Sequence, residues 1–139
     1  MITANIILET PKVLVAWDND CRCVVISWKG PFVSGDEYRS ILMRVLDLLE
    51  EKRASRLLSD SRNMPVMSPD DQKWLQDVWM PRSIKVGLRY SAVVAPKSAL
   101  TKSTLRHIID DSGDVPRQRA FFPTVEEAKA WLKSIPGAS

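Results

Sequence analysis

Few side chains in this sequence could carry out nucleophilic or acid–base chemistry. The chain has one histidine, His107, and two cysteines, Cys21 and Cys23, and nothing in the sequence places a thiol or a serine beside the imidazole. Two pairs of adjacent carboxylates, Asp70-Asp71 and Asp110-Asp111, have side chains that diverge along a helix. We therefore predict that the protein has no catalytic residues and is not an enzyme.

Metal and cofactor chemistry also lacks a supporting pattern. The two-residue spacing of Cys21 and Cys23 in a strand places both thiols on one face, but a single histidine and no second cysteine pair do not make a zinc site. None of the five glycines lies in a glycine-rich loop between a strand and a helix, and no nucleotide-binding fingerprint is present. We predict two free thiols, no metal and no cofactor.

Polar side chains that could bind a ligand follow two predicted strands, each of which leads into a helix. In open α/β sheets ligands bind beyond the carboxyl ends of the strands, and the free N–H groups of a helix start can bind an anion. We predict that these residues bind a protein partner or a small anionic ligand: Asp60, Arg62, Asn63, Ser68, Lys97 and Ser98. Ordinary helix capping beside exposed basic side chains is the alternative.

Apolar side chains are concentrated around the second predicted helix. The residues concerned are Met64, Met67, Trp74, Trp79 and Met80. Most of this apolar area belongs in a core, but Met67, Trp79 and Met80 cannot share one narrow helical stripe. Any part that faces outward would form a dimer interface or the mouth of an apolar pocket, and the sequence leaves both possibilities open.

The elements that must position these residues follow from periodicity and capping signals. We predict strands at 5–9, 13–17 and 21–29, the last two joined by Asp18-Asn19-Asp20 as an antiparallel hairpin. A capping box, Ser34-Gly35-Asp36-Glu37, starts a helix that runs to about Lys52. Further strands are predicted at 56–60, 90–95 and 118–122.

Three more helices alternate with these strands. One begins at Ser68, with Pro69 at its first position, and is expected to stop at Pro81. Another follows Ser98, and the last follows Thr124. The order β-β-β-α-β-α-β-α-β-α predicts an α/β fold with a mixed sheet, in which the N-terminal strands are antiparallel and βα crossovers join the parallel ones.

Length and charge restrict the number of domains and the classes of binding partner. The 139 residues fit a single domain spanning 1–139. The sequence has no signal-peptide pattern and no apolar run that could cross a membrane, which predicts a cytoplasmic protein without a membrane span. The net charge is −2 over residues 1–81 and +5 over residues 82–139. No motif accompanies this basic excess, so we predict no binding to nucleic acid.

Nearly the whole chain resembles the SpoIIAA-like proteins of the STAS and SEC14-like superfamily. The similarity lies in the opening strands, the helix start Ser34-Gly35-Asp36-Glu37-Tyr38, the segments Leu57–Asp60 and Tyr90–Val94, and the ending Ala120–Leu132. This resemblance implies a small α/β domain with helices packed on a mixed sheet. STAS antagonist proteins carry a phosphorylated serine in an Asp-Ser-Ser-Gly motif. Here Asp60 matches the strand-end aspartate of that family, but Pro69 occupies the serine position.

These observations lead to two functional hypotheses. The first is a non-enzymatic regulatory or protein-interaction domain, expected to be a homodimer and to lack the phosphoserine switch, which docks a partner or small ligand near Arg62 and Lys97. The second is a small apolar-ligand or lipid-binding protein with a pocket lined by Met64, Met67, Trp74 and Trp79. The sequence names neither the partner nor the ligand.

Overall fold

Six strands form one mixed sheet in which spatial order follows chain order. In a computed structural model, which describes residues 4–110 and 118–136, the strands are β1 (Ala4–Glu9), β2 (Val13–Asp18), β3 (Cys23–Trp28), β4 (Arg56–Asp60), β5 (Tyr90–Val94) and β6 (Gln118–Phe122). The sheet order is β1-β2-β3-β4-β5-β6. The β1–β2 and β2–β3 pairs are antiparallel, and the three later pairs are parallel. This confirms the predicted α/β class and the mixed sheet.

The helices divide unequally between the two faces of the sheet. They are α1 (Gly35–Lys52), α2 (Pro69–Trp74), a π-helical turn (Leu75–Trp79), α3 (Met80–Lys85), α4 (Ala99–Asp110) and α5 (Val125–Ser134). The larger core joins one sheet face to side chains of α1, the π-helical turn, α3 and α4. The smaller core joins the other face to Ala128 and Leu132 of α5. Since the strand order never reverses, the three parallel crossovers all pass over the same face.

The predicted hairpin is confirmed, and its turn depends on a buried carboxylate. Asp18, at the end of β2, accepts hydrogen bonds from the backbone N–H groups of Asp20 and Cys21. Its Oδ2 lies 3.0 Å from Nζ of Lys129 on α5. Burial alone would raise the pKa of Asp18, but the hydrogen bonds and the charge of Lys129 outweigh it, and the pKa lies below its ordinary value.

The prediction that Pro81 ends the second helix was wrong. The helical segment continues to Lys85 because it widens into a π-helical turn just before the proline. There the N–H of Met80 donates to the carbonyl of Leu75, five residues back. A proline within a regular α-helix clashes with the carbonyl four residues earlier, and a wider turn relieves that clash.

The capping box predicted at the start of α1 was also wrong. The Ser34 side chain caps nothing, and Glu37 instead accepts a hydrogen bond of 2.7 Å from Lys12 Nζ. The N–H of Gly35 donates to the carboxylate of Asp71, with both oxygens at 3.2 Å. Asp71 belongs to α2 and is 1% exposed. A carboxylate from one helix therefore caps the neighbouring helix, where the partial positive charge of the helix start stabilises it.

This contact predicts unequal effects for two adjacent aspartates in the first turn of α2. We expect Asp71→Asn to lower the free energy of unfolding by about 1–3 kcal/mol, because a buried charge-assisted hydrogen bond is weakened. Asp70→Asn should cost about 0.5 kcal/mol, since Asp70 is exposed and an exposed charge gains little from the helix dipole. Urea unfolding followed by circular dichroism measures both variants, and equal losses would contradict the cross-helix cap.

Candidate functional site

The loops that follow β4 and β5 meet at the carboxyl edge of the sheet. The N–H of Ser61 donates to the carbonyl of Val94 at 3.1 Å, and the N–H of Lys97 donates to the carbonyl of Arg62 at 3.2 Å. The predicted residues Asp60, Arg62, Asn63, Lys97 and Ser98 are therefore brought together. We call these five residues the polar rim.

The guanidinium of Arg62 already forms an ion pair with Asp60. Its guanidinium donates to both carboxylate oxygens of Asp60, at 2.9 and 2.8 Å. Burial would raise the pKa of Asp60, but these hydrogen bonds and the Arg62 charge outweigh it, so the pKa lies below its ordinary value. An anionic ligand at this place would compete with Asp60 for Arg62. Lys97 is exposed and extends the rim toward α4.

The two serines among the predicted binding residues, Ser68 and Ser98, serve as helix caps. Ser68 Oγ accepts from the N–H of Asp71 at 3.2 Å, and Ser98 Oγ accepts from the N–H of Thr101 at 3.3 Å. Each hydroxyl keeps its own proton available for donation. The capping interpretation of these serines is therefore confirmed, and a binding role stays a prediction.

Exposed apolar side chains surround the same edge, and the sequence analysis did not identify Phe32 or Leu100 among them. Phe32 precedes α1, Val66 precedes α2 and Leu100 begins α4, with exposed fractions of 58%, 47% and 63%. All three follow strands whose carboxyl ends meet here. The only residue of comparable size and exposure elsewhere in the described part of the chain is Ile6 on β1.

A cavity of about 90 Å³ lies between the sheet and the helices of the larger core. Its lining combines apolar walls with a small polar group. The apolar walls include Trp28, Leu42, Leu57, Met64, Leu75, Trp79, Met80, Val93 and Leu105. The polar residues are Tyr38, Ser59, Ser61, Ser91 and Arg119.

Three of the five predicted apolar residues line this cavity: Met64, Trp79 and Met80. The π-helical turn makes this possible, because its extra residue rotates both Trp79 and Met80 inward with Leu75. The indole N–H of Trp79 donates to the carbonyl of Leu42 in α1 at 2.8 Å, which fixes the ring in the cavity wall. These side chains are thus interior to the protomer.

The other two predicted apolar residues lie close by but do not line the cavity. Met67 is buried in the same core. Trp74 is half-buried, with its ring edge-on to Tyr38 and beneath the guanidinium of Arg39. Tyr38 in turn stacks on Trp28. Burial and the nearby Asp71 charge raise the pKa of Tyr38, so it remains a neutral phenol in the cavity wall.

The polar part of the lining was missed from the sequence, although a signal was present. Parallel strands buried on both faces are nearly continuous apolar runs. Here Ser59, Ser91 and Arg119 interrupt β4, β5 and β6 on the face that the crossover helices cover. Polar residues at such positions indicate that something polar lies over that face.

The remaining sequence candidates are dispersed. Cys21 and Cys23 are both buried and unoxidised, in the core beneath α5. The thiol of Cys23 hydrogen-bonds to Cys21, and this bond together with burial raises its pKa. His107 is exposed on α4, and Asp111 lies outside the described residues. Among the described residues no three histidine, cysteine, aspartate or glutamate side chains are grouped to hold a metal ion.

The Asp60–Arg62 pair predicts a specific titration behaviour. Arg62→Gln should raise the pKa of Asp60, because the guanidinium that stabilises its charged form is removed. The stabilisation from this carboxylate is present above its unfolded pKa and is lost as the pH falls through its lowered folded pKa. Carbon-detected NMR titration measures the shift, with Lys97→Gln as the matched control. An unchanged Asp60 pKa in Arg62→Gln would refute the pairing.

Comparison with known proteins adds no assignment. The chain matches no protein-family model, no curated protein and no solved structure.

Proposed function

We propose that this protein is a non-enzymatic domain that binds a small, largely apolar ligand in its internal cavity. The observation that supports this most directly is the lining itself, in which Met64, Trp79 and Met80 meet beneath the crossover helices. Methionine side chains are flexible and polarisable, so they adapt their shape to a bound molecule. Binding pockets commonly combine apolar walls with a few polar groups that orient the ligand.

The cavity volume restricts the size of the ligand. A cavity of about 90 Å³ equals roughly three times the ~30 Å³ that a water molecule occupies in the liquid. An engineered apolar cavity of about 150 Å³ binds benzene. With small movements of Met64 and Met80, the cavity suits a single ring or a short aliphatic chain. We therefore favour a small metabolite-sized ligand over a whole membrane lipid.

A second candidate function, protein docking at the carboxyl edge of the sheet, is supported by the exposed apolar residues there. We define the docking edge as Phe32, Val66 and Leu100 together with the rim residues Arg62 and Lys97. Apolar side chains surrounded by polar ones are typical of interaction surfaces. A regulatory domain of this kind would bind a partner protein or a second copy of itself through this edge.

The resemblance to SpoIIAA-like STAS proteins is compatible with both candidates, and we keep it as a proposal. The structure has the mixed sheet and the strand-end aspartate, Asp60, that the resemblance leads one to expect. Pro69 has no hydroxyl to phosphorylate, and Ser68 Oγ already accepts the capping hydrogen bond. We propose that regulation in this protein does not use a phosphoserine at this position.

No described helix is both long enough and apolar enough to cross a membrane. A cytoplasmic location and the absence of nucleic-acid binding stay predictions. The homodimer is likewise proposed, and its interface is expected at the docking edge because Trp79 and Met80 are buried within the protomer.

The cavity proposal predicts that filling the space prevents binding at little cost in stability. Val93→Phe directs a ring into the cavity, so we expect the free energy of unfolding to change by less than about 1 kcal/mol. Val24→Phe is the matched control on the same sheet face, outside the lining, and overpacking should cost about 1–3 kcal/mol. Urea unfolding compares the two variants.

Binding is measured by NMR of methionine methyl groups titrated with benzene. The signals of Met64 and Met80 should shift in the wild type and stay unchanged in Val93→Phe, while Met67, which is buried in the same core but does not line the cavity, serves as an internal reference. Native mass spectrometry of gently purified protein reports any co-purified molecule. Absence of both methyl shifts and added mass would refute the proposal.

The docking edge predicts how the oligomeric state responds to loss of exposed apolar area. We expect wild-type protein to be a dimer by sedimentation velocity and Phe32→Ser/Leu100→Ser to shift it toward monomer, because the variant removes two apolar contacts. Ile6→Ser, an equally exposed apolar position on β1, is the control and should leave the dimer intact. A monomeric wild type, or a dimer that only Ile6→Ser dissociates, would contradict this prediction.

A further inference from the structure

Polar side chains on the covered face of three neighbouring parallel strands form one end of the cavity. Ser91 on β5 pairs in register with Leu57 on β4 and with Arg119 on β6. Ser59 lies two residues beyond Leu57 on the same face and also lines the cavity. Ser91 is buried and Ser59 and Arg119 are half-buried, and polar groups that lose contact with water cost free energy unless other polar groups replace it.

The hydroxyl of Ser91 is the most informative member of this group. Ser91 is 6% exposed, and its Oγ is fully buried without a hydrogen bond to any residue that the structure describes. It lies in the cavity wall next to Arg119. Buried hydroxyls in proteins nearly always have a partner. A group in the cavity that accepts a hydrogen bond would supply one for Ser91.

Two further hydroxyls complete the polar end. Ser59 Oγ and Ser61 Oγ are 3.0 Å apart and share one hydrogen bond. Because each hydroxyl has one proton, the pair keeps one O–H that can donate elsewhere. Among the residues that the structure describes, the cavity is lined at this end by a guanidinium and by hydroxyl donors.

We infer that the ligand of this cavity is a small carboxylic acid in its ionised form, with its carboxylate at Ser91 and Arg119 and its apolar tail among Met64, Leu75 and Met80. This inference rests on the proposed ligand-binding function and specifies its ligand class. The planar fork of a guanidinium matches the two oxygens of a carboxylate. The buried setting strengthens that interaction.

The dimensions of the cavity favour a carboxylate over a phosphate ester. A phosphate group brings a tetrahedral centre with more charge and more oxygens to satisfy, whereas the lining offers one guanidinium and a few hydroxyls. A volume of about 90 Å³ leaves room for a flat two-oxygen group with a short tail. Hexanoate is a suitable probe, and hexanamide is its uncharged counterpart of nearly equal shape.

The test is isothermal titration of both probes against the wild-type protein and three variants. We expect hexanoate to bind at least tenfold more tightly than hexanamide, since the bidentate pairing with Arg119 requires the charge. Arg119→Gln should abolish the preference. Ser91→Ala should weaken hexanoate about fivefold, as expected for one lost hydrogen bond. Lys97→Gln, which removes a charge from the exposed docking edge, should change neither affinity.

The possible outcomes separate this inference from the proposed function. If both probes bind equally and shift the methyl signals of Met64 and Met80, the cavity binds apolar ligands but the carboxylate assignment is overturned. If neither probe nor benzene binds, the ligand-binding function itself is refuted. If Lys97→Gln removes the hexanoate preference while Ser91→Ala has no effect, the anion site lies at the docking edge and the cavity assignment is wrong. Should Arg119→Gln fail to fold, Ser91→Ala still decides the assignment.

Discussion

The strand order of the sheet is the constraint on which the rest of this structure depends. Because β3, β4, β5 and β6 follow one another in space as in sequence, the three parallel crossovers run in one direction and cover one face. A sheet of this kind has no reversal of strand order within its parallel part, and so no crevice of the type that holds nucleotides in doubly wound folds. The cavity of this protein lies beneath the crossover helices instead.

The position of those helices depends on contacts that cross between elements. Asp71 of α2 caps α1 through Gly35, and Trp79 of the π-helical turn donates to Leu42 of α1. Both contacts connect the segment after β4 to the segment after β3. They join α1 to α2 and to the π-helical turn, and the cavity lies between these helices and the sheet. The Trp79–Leu42 hydrogen bond joins two residues of the cavity lining.

The opposite face of the sheet has a different role. Arg56 of β4 donates to the carbonyl of Cys21, in the turn before β3, and to that of Ile135, just beyond α5. The Asp18–Lys129 pair joins the same turn to α5. On this face, polar contacts join the turn before β3, β4 and α5 around a small apolar core. The methionine-containing cavity lies on the other face, where we propose the ligand binds.

Local sequence signals predicted most of the elements because those signals act over a few residues. The strands at 56–60 and 118–122 and the caps at Ser68 and Ser98 agree with the structure. The helix end predicted at Pro81 was wrong because a π-helical turn accommodates the proline. The capping box predicted at Ser34 was wrong because a carboxylate from another helix, that of Asp71, caps α1. Neither can be recognised from a short window of sequence.

The sequence by itself determined the class of fold, the mixed sheet, and the presence of a methionine- and tryptophan-rich region. Periodicity, capping and chain order suffice for these features. Only the tertiary structure decided that Trp79 and Met80 face inward and that Ser91 and Arg119 lie side by side. The reason is that a helix phase shift and the register of strands far apart in the chain are set by packing across the whole domain.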